Sequence, residues 1–268
     1  TNKILEALDI VGQWDSNKEL VESVLSSLVP GYANAQRMEE SNSWRYPIDL
    51  IDILEKAFKK LPTVLSDGSR RREQAGEEKI TRWNQTKDQL VKVLLGDDLQ
   101  LIVNSLLDAL SRGANEEQLA GIVAYAAAMR VVQFHTRNEF SDWDAVLHTF
   151  TYANAVNQGL RRIATQELLR GVFDGAMRVY LNRFLNVPPV PLPKQTKIVE
   201  RSINADDSIS KDPETLLREE LLSLLDKQQQ VNQVGQLVID YLYNNNGKPD
   251  HLLAAIGKTL LREDRNFH

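Results

Sequence analysis

The apolar residues of this chain recur mainly at intervals of three and four, the spacing that places them on one face of an α-helix. Two stripes of this kind lie early in the chain: Leu20, Val21, Val24, Leu25 and Leu28, then Leu50, Ile51, Leu54, Phe58 and Leu61. The segment 16–19 before the first stripe has the pattern of a capping box, and Pro30 is predicted to end that helix. No segment alternates apolar and polar residues as a strand does. The pattern predicts an all-α fold, a multi-helix bundle built from antiparallel helical hairpins.

Helical spacing continues through the middle of the chain. Further helices are predicted at about 78–95, 98–112, 115–137, 142–160 and 166–186. Gly113 is typical of the residue after a helix end, and Asn115 and Ser141 are typical of helix starts. Gly171 and Gly175 give the last of these helices a small face, which favours a close crossing with a neighbour.

Two stretches lack helical spacing. The first, near 66–77, is polar and is predicted to be a solvated loop that carries Arg70, Arg71 and Arg72. The second, 188–193, has four prolines in six residues and is predicted to be extended. We therefore predict a helical core over 1–187 and a Pro-rich, polar linker over 188–211 that wraps it. C-terminal helices over 212–268 are expected to pack on the same core as one domain.

Composition narrows the classes of function. The formal net charge is −5, which argues against a nucleic-acid partner because phosphate binding needs concentrated Lys and Arg. No apolar run approaches the roughly 20 residues of a membrane span, so no membrane partner is expected. The absence of cysteine excludes disulfides and thiolate-bound metals and fits a cytoplasmic protein. A metal would be held by imidazole and carboxylate groups, which suit iron, manganese or zinc.

The clearest candidate chemistry is a pairing of histidines with carboxylates. Three of the four histidines lie four residues from an acid: His135 with Glu139, Asp144 with His148, and Asp264 with His268. Residues at this spacing share a helix face, and chance predicts only about one such pair. A pair of this kind supplies two metal ligands, a ligand with the group that orients it, or a local ion pair.

These pairs define a candidate metal site. The 115–137 and 142–160 helices are predicted to form a hairpin in which both central histidines reach one space between the helices. The metal ligands predicted for this site are His135, Glu139, His148, Asp264 and His268. Tyr152, one helical turn after His148, is the candidate catalytic residue, placed to hydrogen-bond to that histidine or to a substrate.

Each of these residues also has an ordinary structural role. An inward-facing histidine is commonly a hydrogen-bonded core residue, and Asp142 and Asp144 lie where acids favour a helix N-terminus. Arg137 and Glu139 are able to pair within the turn. The acids stand four residues from the histidines rather than three, which departs from the Glu-x-x-His pattern of ferritin-like di-iron proteins.

Several segments carry a resemblance to known proteins. They are Phe134-His135 through Asp142-Trp143 to His148, Thr151–Ala155, Leu168–Ala176, the Pro-rich stretch, and Leu261–Asp264 with Phe267-His268. Together they resemble an uncharacterised group of bacterial all-helical proteins, some of which carry a Rieske-type ferredoxin domain elsewhere in the chain. A weaker likeness is to the all-helical questin-oxidase-like proteins. The resemblance implies oxygen or redox chemistry with a ferredoxin or Rieske-type electron donor as partner.

Two functions follow as hypotheses. The first is a metal-dependent oxidoreductase domain with non-haem iron, for which manganese and zinc are alternatives, in a pocket between helices. Haem with His135 or His148 as axial ligand is a variant of it. The second is a non-enzymatic helical protein-interaction or scaffold domain in which the histidines are structural.

Overall fold

A computed structural model describes residues 2–11, 17–74, 79–135, 137–192, 219–224, 231–244 and 247–260. Within these ranges the regular structure is helical and contains no strand, which confirms the predicted all-α fold. The antiparallel sense of the helical hairpins stays a prediction. The chain divides into two compact units, Thr1–Val190 and Pro191–His268. None of the described helices is both long enough and apolar enough to cross a bilayer.

The first unit contains α1 to α11. Their bounds are Asn2–Val11, Lys18–Ser26, Val29–Ala33, Asn42–Arg45, Leu50–Phe58, Leu61–Gln74, Lys79–Leu94, Leu99–Ser111, Glu116–Val132, Phe140–Arg162 and Gln166–Leu181. Short 3-10 turns occur at Met38–Glu40 and Asn182–Asn186.

The core of this unit is centred on α9. This helix packs against α7, α8, α10 and α11. Small buried residues, among them Ala120, Ala124, Ala126 and Ala127, let neighbouring helices approach it from several sides. The neighbouring α8 and α11 supply the larger buried side chains, including Leu106 and Phe173. Helix α9 is therefore the element against which the others are positioned.

The start of α9 follows the prediction. Asn115 Oδ1 accepts from the Gln118 backbone N–H at 2.7 Å, and Gln118 Oε1 accepts from the Asn115 backbone N–H at 3.0 Å. This reciprocal pair satisfies two donors that a helix start leaves free. Just before it, Gly113 has a φ of +104°, the left-handed conformation expected of a glycine after a helix end.

The end of α9 differs from the prediction. The helix ends at Val132 rather than near 137, and α10 begins at Phe140 with Glu139 as its N-cap residue. Ser141, the predicted cap, is therefore inside α10. The Glu139 backbone N–H donates to Asp142 Oδ2 at 3.1 Å, so Glu139 takes the N-cap position predicted for Ser141 and Asp142 satisfies its backbone N–H.

The loop predicted near 66–77 is wrong over its first part, because α6 continues to Gln74. Two residues, Gly68 and Arg72, explain how this polar segment packs as a helix. An added Cβ at Gly68 would overlap the Leu110 carbonyl oxygen, so glycine allows α6 to meet the backbone of α8. Arg72 donates to the Ala114 carbonyl oxygen at 2.9 Å, and Arg70 pairs with Asp67. Two of the three arginines, which all lie on α6, thus have hydrogen-bond partners.

Near the N-terminus the predicted elements are shifted by a few residues. The N-cap of α2 is Asn17, whose Oδ1 accepts from the Leu20 backbone N–H at 3.0 Å. Pro30 and Gly31 lie in the short α3 instead of ending α2. Proline is compatible with a first helical turn, where its missing N–H has no partner to lose.

Arg130 is the most deeply buried cation described in this unit, with 4 % exposure. Its guanidinium donates to the Leu95 carbonyl at 2.9 Å, the Val179 carbonyl at 3.1 Å and Asn186 Oδ1 at 3.1 Å. The two carbonyls lie at the C-terminal ends of α7 and α11, where the helix dipole is negative. Burial, with a smaller effect of Arg183, lowers the pKa of Arg130 to about 10. These bonds hold the ends of several helices together.

In the second unit the structure describes α12 (219–224), α13 (Val231–Ile239), a π-helical turn (Asp240–Asn244) and α14 (Pro249–Leu260). Tyr241 and Leu252 are buried together, with Leu237, Val238 and Leu242 against them. The predicted packing of the C-terminal helices on the core stays a prediction.

Candidate functional site

His135 lies in the turn between α9 and α10, beyond the end of the helix. It is half-buried, and its Nδ1 accepts a hydrogen bond from the Arg137 backbone N–H at 3.0 Å. A neutral imidazole that accepts at Nδ1 carries its proton on Nε2. Metal binding at either nitrogen would therefore require His135 to give up this bond or to change its protonation.

The other two central residues of the predicted metal site are exposed. Glu139 caps α10 and its side chain faces solvent. His148 lies on α10 with a side chain 71 % exposed, and its Nε2 is 3.3 Å from Asp144 Oδ1. The Asp144–His148 pair therefore forms on one helix as predicted, whereas His135 and Glu139 both lie in the turn after α9 and share no helix face.

The metal site as a whole stays a prediction. Across the residues that the structure describes, no three His, Asp or Glu side chains come together as metal ligands. Two of the five predicted ligands, Asp264 and His268, fall outside the described residues.

Tyr152 contacts a different set of residues from those predicted. Its hydroxyl lies 3.5 Å from Asp174 Oδ2 on α11, a long hydrogen bond. The Arg178 guanidinium carbon lies 4.9 Å from the centre of the Tyr152 ring, in cation–π contact. These three residues, which we name the Tyr152 cluster, join α10 to α11.

The small face of α11 makes this cluster possible. Cβ atoms would reach Val156 at 3.1 Å from Gly171 and Val123 at 3.2 Å from Gly175. The predicted close helix crossing is thus confirmed. Because α10 lies so near, Asp174, between the two glycines, is half-buried.

Burial dominates the electrostatics of the Tyr152 cluster. It raises the pKa of Asp174 to about 6, against the lowering effect of Arg178. The pKa of Tyr152 is raised as well, by burial and by the nearby Asp174 carboxylate. Arg178 Nε is buried and has no hydrogen-bond partner. An acid that titrates near neutral pH beside an unused donor is an arrangement found at functional sites.

Sequence reasoning named Tyr152 but missed Asp174 and Arg178 as its neighbours. The available signal was a carboxylate placed between two glycines on a helix whose remaining residues are largely apolar. A charged residue beside glycines is buried when a neighbouring helix packs closely against them, and burial shifts the pKa of that residue.

A second feature lies at the turn between α9 and α10. Two large apolar residues beside it and two in the segment after α11 are more than half exposed: Val132 at 53 %, Phe140 at 81 %, Phe184 at 64 % and Val187 at 77 %. We name this set the apolar end. Neighbouring residues form a small buried cluster of Phe134, Val146 and Leu185, and Trp143 packs against it with its ring 4.2 Å from that of Phe134.

Hydrogen bonds fix the segments that carry the apolar end. The Val190 backbone N–H donates to the Gln133 carbonyl at 3.0 Å, and Asn138 Nδ2 donates to the Leu185 carbonyl at 2.9 Å. The turn after α9 and the chain after α11 are thereby tied to each other. The exposed side chains are therefore carried by segments that are hydrogen-bonded to each other.

In comparisons with known proteins, no family model, no curated protein and no solved structure matches the chain.

Proposed function

We propose that the first unit is a helical protein-interaction domain whose binding surface is the apolar end. The observation that carries the proposal is the exposure of Val132, Phe140, Phe184 and Val187 on segments that hydrogen bonds join. Scattered exposed apolar residues are ordinary, but several on adjoining segments are typical of a surface that a partner covers.

The energetics favour a partner. Fully burying one large apolar side chain contributes about 1.5–3 kcal/mol, so covering Phe140 and Phe184 supplies a substantial driving force. The buried cluster of Phe134, Val146 and Leu185 holds the surface in place before binding. A preformed surface loses less conformational entropy on association than a mobile one.

The charges beside Phe140 indicate what kind of partner fits. Glu139, Asp142 and Asp144 lie in the cap and first turns of α10, next to this exposed ring. A partner that places Lys or Arg beside these carboxylates gains favourable electrostatics. The partner we propose is therefore an amphipathic segment of another protein, with an apolar face flanked by basic residues.

The test is fluorescence anisotropy of the full chain with two labelled amphipathic helical peptides of identical apolar face, one flanked by Lys and one by Glu. We expect the Lys peptide to bind more tightly. The double variant Phe140→Ser/Phe184→Ser should weaken its binding at least about tenfold. Leu101→Ser/Ile163→Ser, which removes exposed apolar residues elsewhere, is the matched control and should bind like the wild type.

Other results would overturn the proposal. Equal loss of binding in both double variants would show that any exposed apolar group attracts the peptide. Dimerisation in sedimentation experiments that Phe140→Ser/Phe184→Ser abolishes would make a second copy of the chain the occupant. Binding to anionic lipid vesicles, with no binding of either peptide, would assign the surface to a membrane.

A further inference from the structure

A depression with no role in the proposed interaction lies between α9 and α10, at the start of α9. It has a cavity volume of about 360 Å³ and is lined by Glu117, Gln118, Gly121, Ile122 and Arg161. This volume is at the small end of the range for ligand-binding pockets. The lining combines one carboxylate, one guanidinium, an amide, a glycine and an apolar side chain.

The two charged groups of the depression are adjacent. Arg161 Nε lies 3.1 Å from Glu117 Oε1, and both side chains are about half exposed, at 54 % and 51 %. Because Arg161 contacts Glu117 through Nε, the two terminal nitrogens of its guanidinium are left for a second carboxylate. The remaining carboxylate oxygen of Glu117 is available to a donor. A positive and a negative binding group therefore stand side by side.

A buried acceptor without a partner lies beside them. Asn157, on α10 one turn before Arg161, is 7 % exposed, and its Oδ1 has no hydrogen-bond partner. A Cβ added at Gly121 would meet only this oxygen within 4 Å, at 3.8 Å. Glycine therefore leaves an open position next to an unused acceptor. Because this oxygen is inside the protein, a ligand in the depression reaches the open position at Gly121 and not the oxygen itself.

We propose that this depression binds an α-amino acid in its zwitterionic form, with an apolar side chain. The ammonium group occupies the position that Gly121 leaves open and donates to Glu117, and the carboxylate accepts from the terminal nitrogens of Arg161. The amino and carboxylate groups of an amino acid are separated by a single carbon, which matches the short distance between Glu117 and Arg161. The side chain lies against Ile122.

The test is isothermal titration calorimetry of the full chain with three probes that share one side chain. L-leucine carries both charges, leucinamide lacks the carboxylate, and N-acetyl-leucine lacks the ammonium group. We expect saturable binding of L-leucine in the millimolar range. Each of the other two should bind at least about tenfold more weakly, because each leaves one charged group of the site unmatched.

Variants connect the binding to this depression. Gly121→Ala fills the open position without a clash and should abolish L-leucine binding, while the protein melts no lower than the wild type. Gly159→Ala, a glycine of α10 whose added Cβ would meet only Leu168 at ordinary distance, is the matched control and should bind normally. Arg161→Gln should reduce the affinity for L-leucine to that of leucinamide.

Three results would overturn the inference. The absence of L-leucine binding to the wild type would remove the site. Equal binding of leucinamide or N-acetyl-leucine would show that the site does not recognise a zwitterion. Unchanged binding in a folded Gly121→Ala variant would place the ligand elsewhere on the protein.

Discussion

Arg130 and Arg178 are arginines of the same helical core, yet their surroundings differ. Arg130 gives hydrogen bonds from all three guanidinium nitrogens to two carbonyls and an amide oxygen. Arg178 lies over the Tyr152 ring and has a buried Nε without a hydrogen-bond partner. The first cation is satisfied by neutral groups, and the second faces a carboxylic acid that titrates near pH 6.

Arg130 therefore has a structural role that does not depend on pH, whereas Arg178 lies beside a carboxyl group whose protonation changes with pH. Arg130 has no titrating neighbour among its hydrogen-bond partners, so its bonds persist across the ordinary pH range. Arg178 stabilises the charged form of Asp174, whereas burial stabilises the neutral form. The Tyr152 cluster therefore balances two opposing effects, and the Arg130 junction does not.

The largest expected effect comes from breaking the Arg130 junction. Arg130→Met keeps the length of the side chain but leaves the Leu95 and Val179 carbonyls and the Asn186 amide without this donor. We expect the free energy of unfolding to fall by about 3 kcal/mol or more, since each buried unpaired group costs about 1–3 kcal/mol. Denaturant titration measures this change.

Arg178→Met is the matched control for that substitution. Near pH 4, where Asp174 is neutral, it removes a cation–π contact and no hydrogen bond at Nε, so a loss of about 1 kcal/mol is expected. If both variants lost the same stability, the contrast between the two arginines would be wrong.

An effect of intermediate size is expected from Asp174→Asn, and it depends on pH. The pKa of Asp174 rises from 3.8 to about 6 on folding, so the folded state holds this proton more tightly than the unfolded state does. Wild-type stability should then fall as the pH rises from about 4 to about 6 and stay lower above that, by at most about 3 kcal/mol. Asparagine cannot ionise, so the variant should be the more stable protein at pH 8 and equal to the wild type near pH 3.

The measurement is the free energy of unfolding from denaturant titrations at a series of pH values. Tyr152→Phe is the control, because it removes the hydroxyl and keeps the carboxylate, and its pH dependence should persist. A variant Asp174→Asn that kept the full wild-type slope between pH 4 and pH 6 would show that other groups titrate there.

The smallest effects are expected from substitutions of His135 and His148, one of which has a hydrogen bond to the backbone and the other only an exposed ion pair. His135→Ala leaves the Arg137 backbone N–H without its acceptor, so a loss of about 1 kcal/mol is expected. His148→Ala removes only an exposed pair with Asp144 and should change stability by less than about 0.5 kcal/mol. Thermal melts of both variants and the wild type measure these changes.

The same melts, repeated with iron(II), manganese(II) or zinc(II), test the predicted metal site. A ligand that binds only the folded state raises its stability. A rise in the wild-type melting temperature that both histidine variants lose would support the oxidoreductase hypothesis and count against purely structural histidines. A wild type indifferent to all three metals would leave the interaction domain as the working hypothesis.

Much of the fold could be predicted from the sequence, because local signals and tertiary packing agree in most helices. Asn115 and Gly113, for example, mark helix boundaries through backbone chemistry that operates within a few residues. The segment around Gly68 was mispredicted for the opposite reason. Its polar, glycine-containing composition is typical of a loop, and only the distant Leu110 backbone and Ala114 carbonyl explain why it is helical.

The candidate site was less predictable. His135 and Glu139 have the spacing of a helical pair, but α9 ends between Val132 and His135, and no residue in that segment is a strong helix breaker. The burial of Asp174 depends on how closely α10 approaches α11, which is a property of two segments and not of one. The pairing of Asp144 with His148 was predicted correctly, because both lie inside one helix.

The backbone contact at Gly68 also bears on how relatives of this protein could be recognised. Any single base change in a glycine codon that alters the amino acid introduces a side chain with a Cβ, and such a residue would force α6 away from α8. Gly113 faces the same crossing, since its Cβ would lie 3.6 Å from the Gly68 carbonyl oxygen. Sequence drift should therefore spare this pair of glycines long after the exposed positions have changed, which makes them a marker by which a distant homologue could be traced.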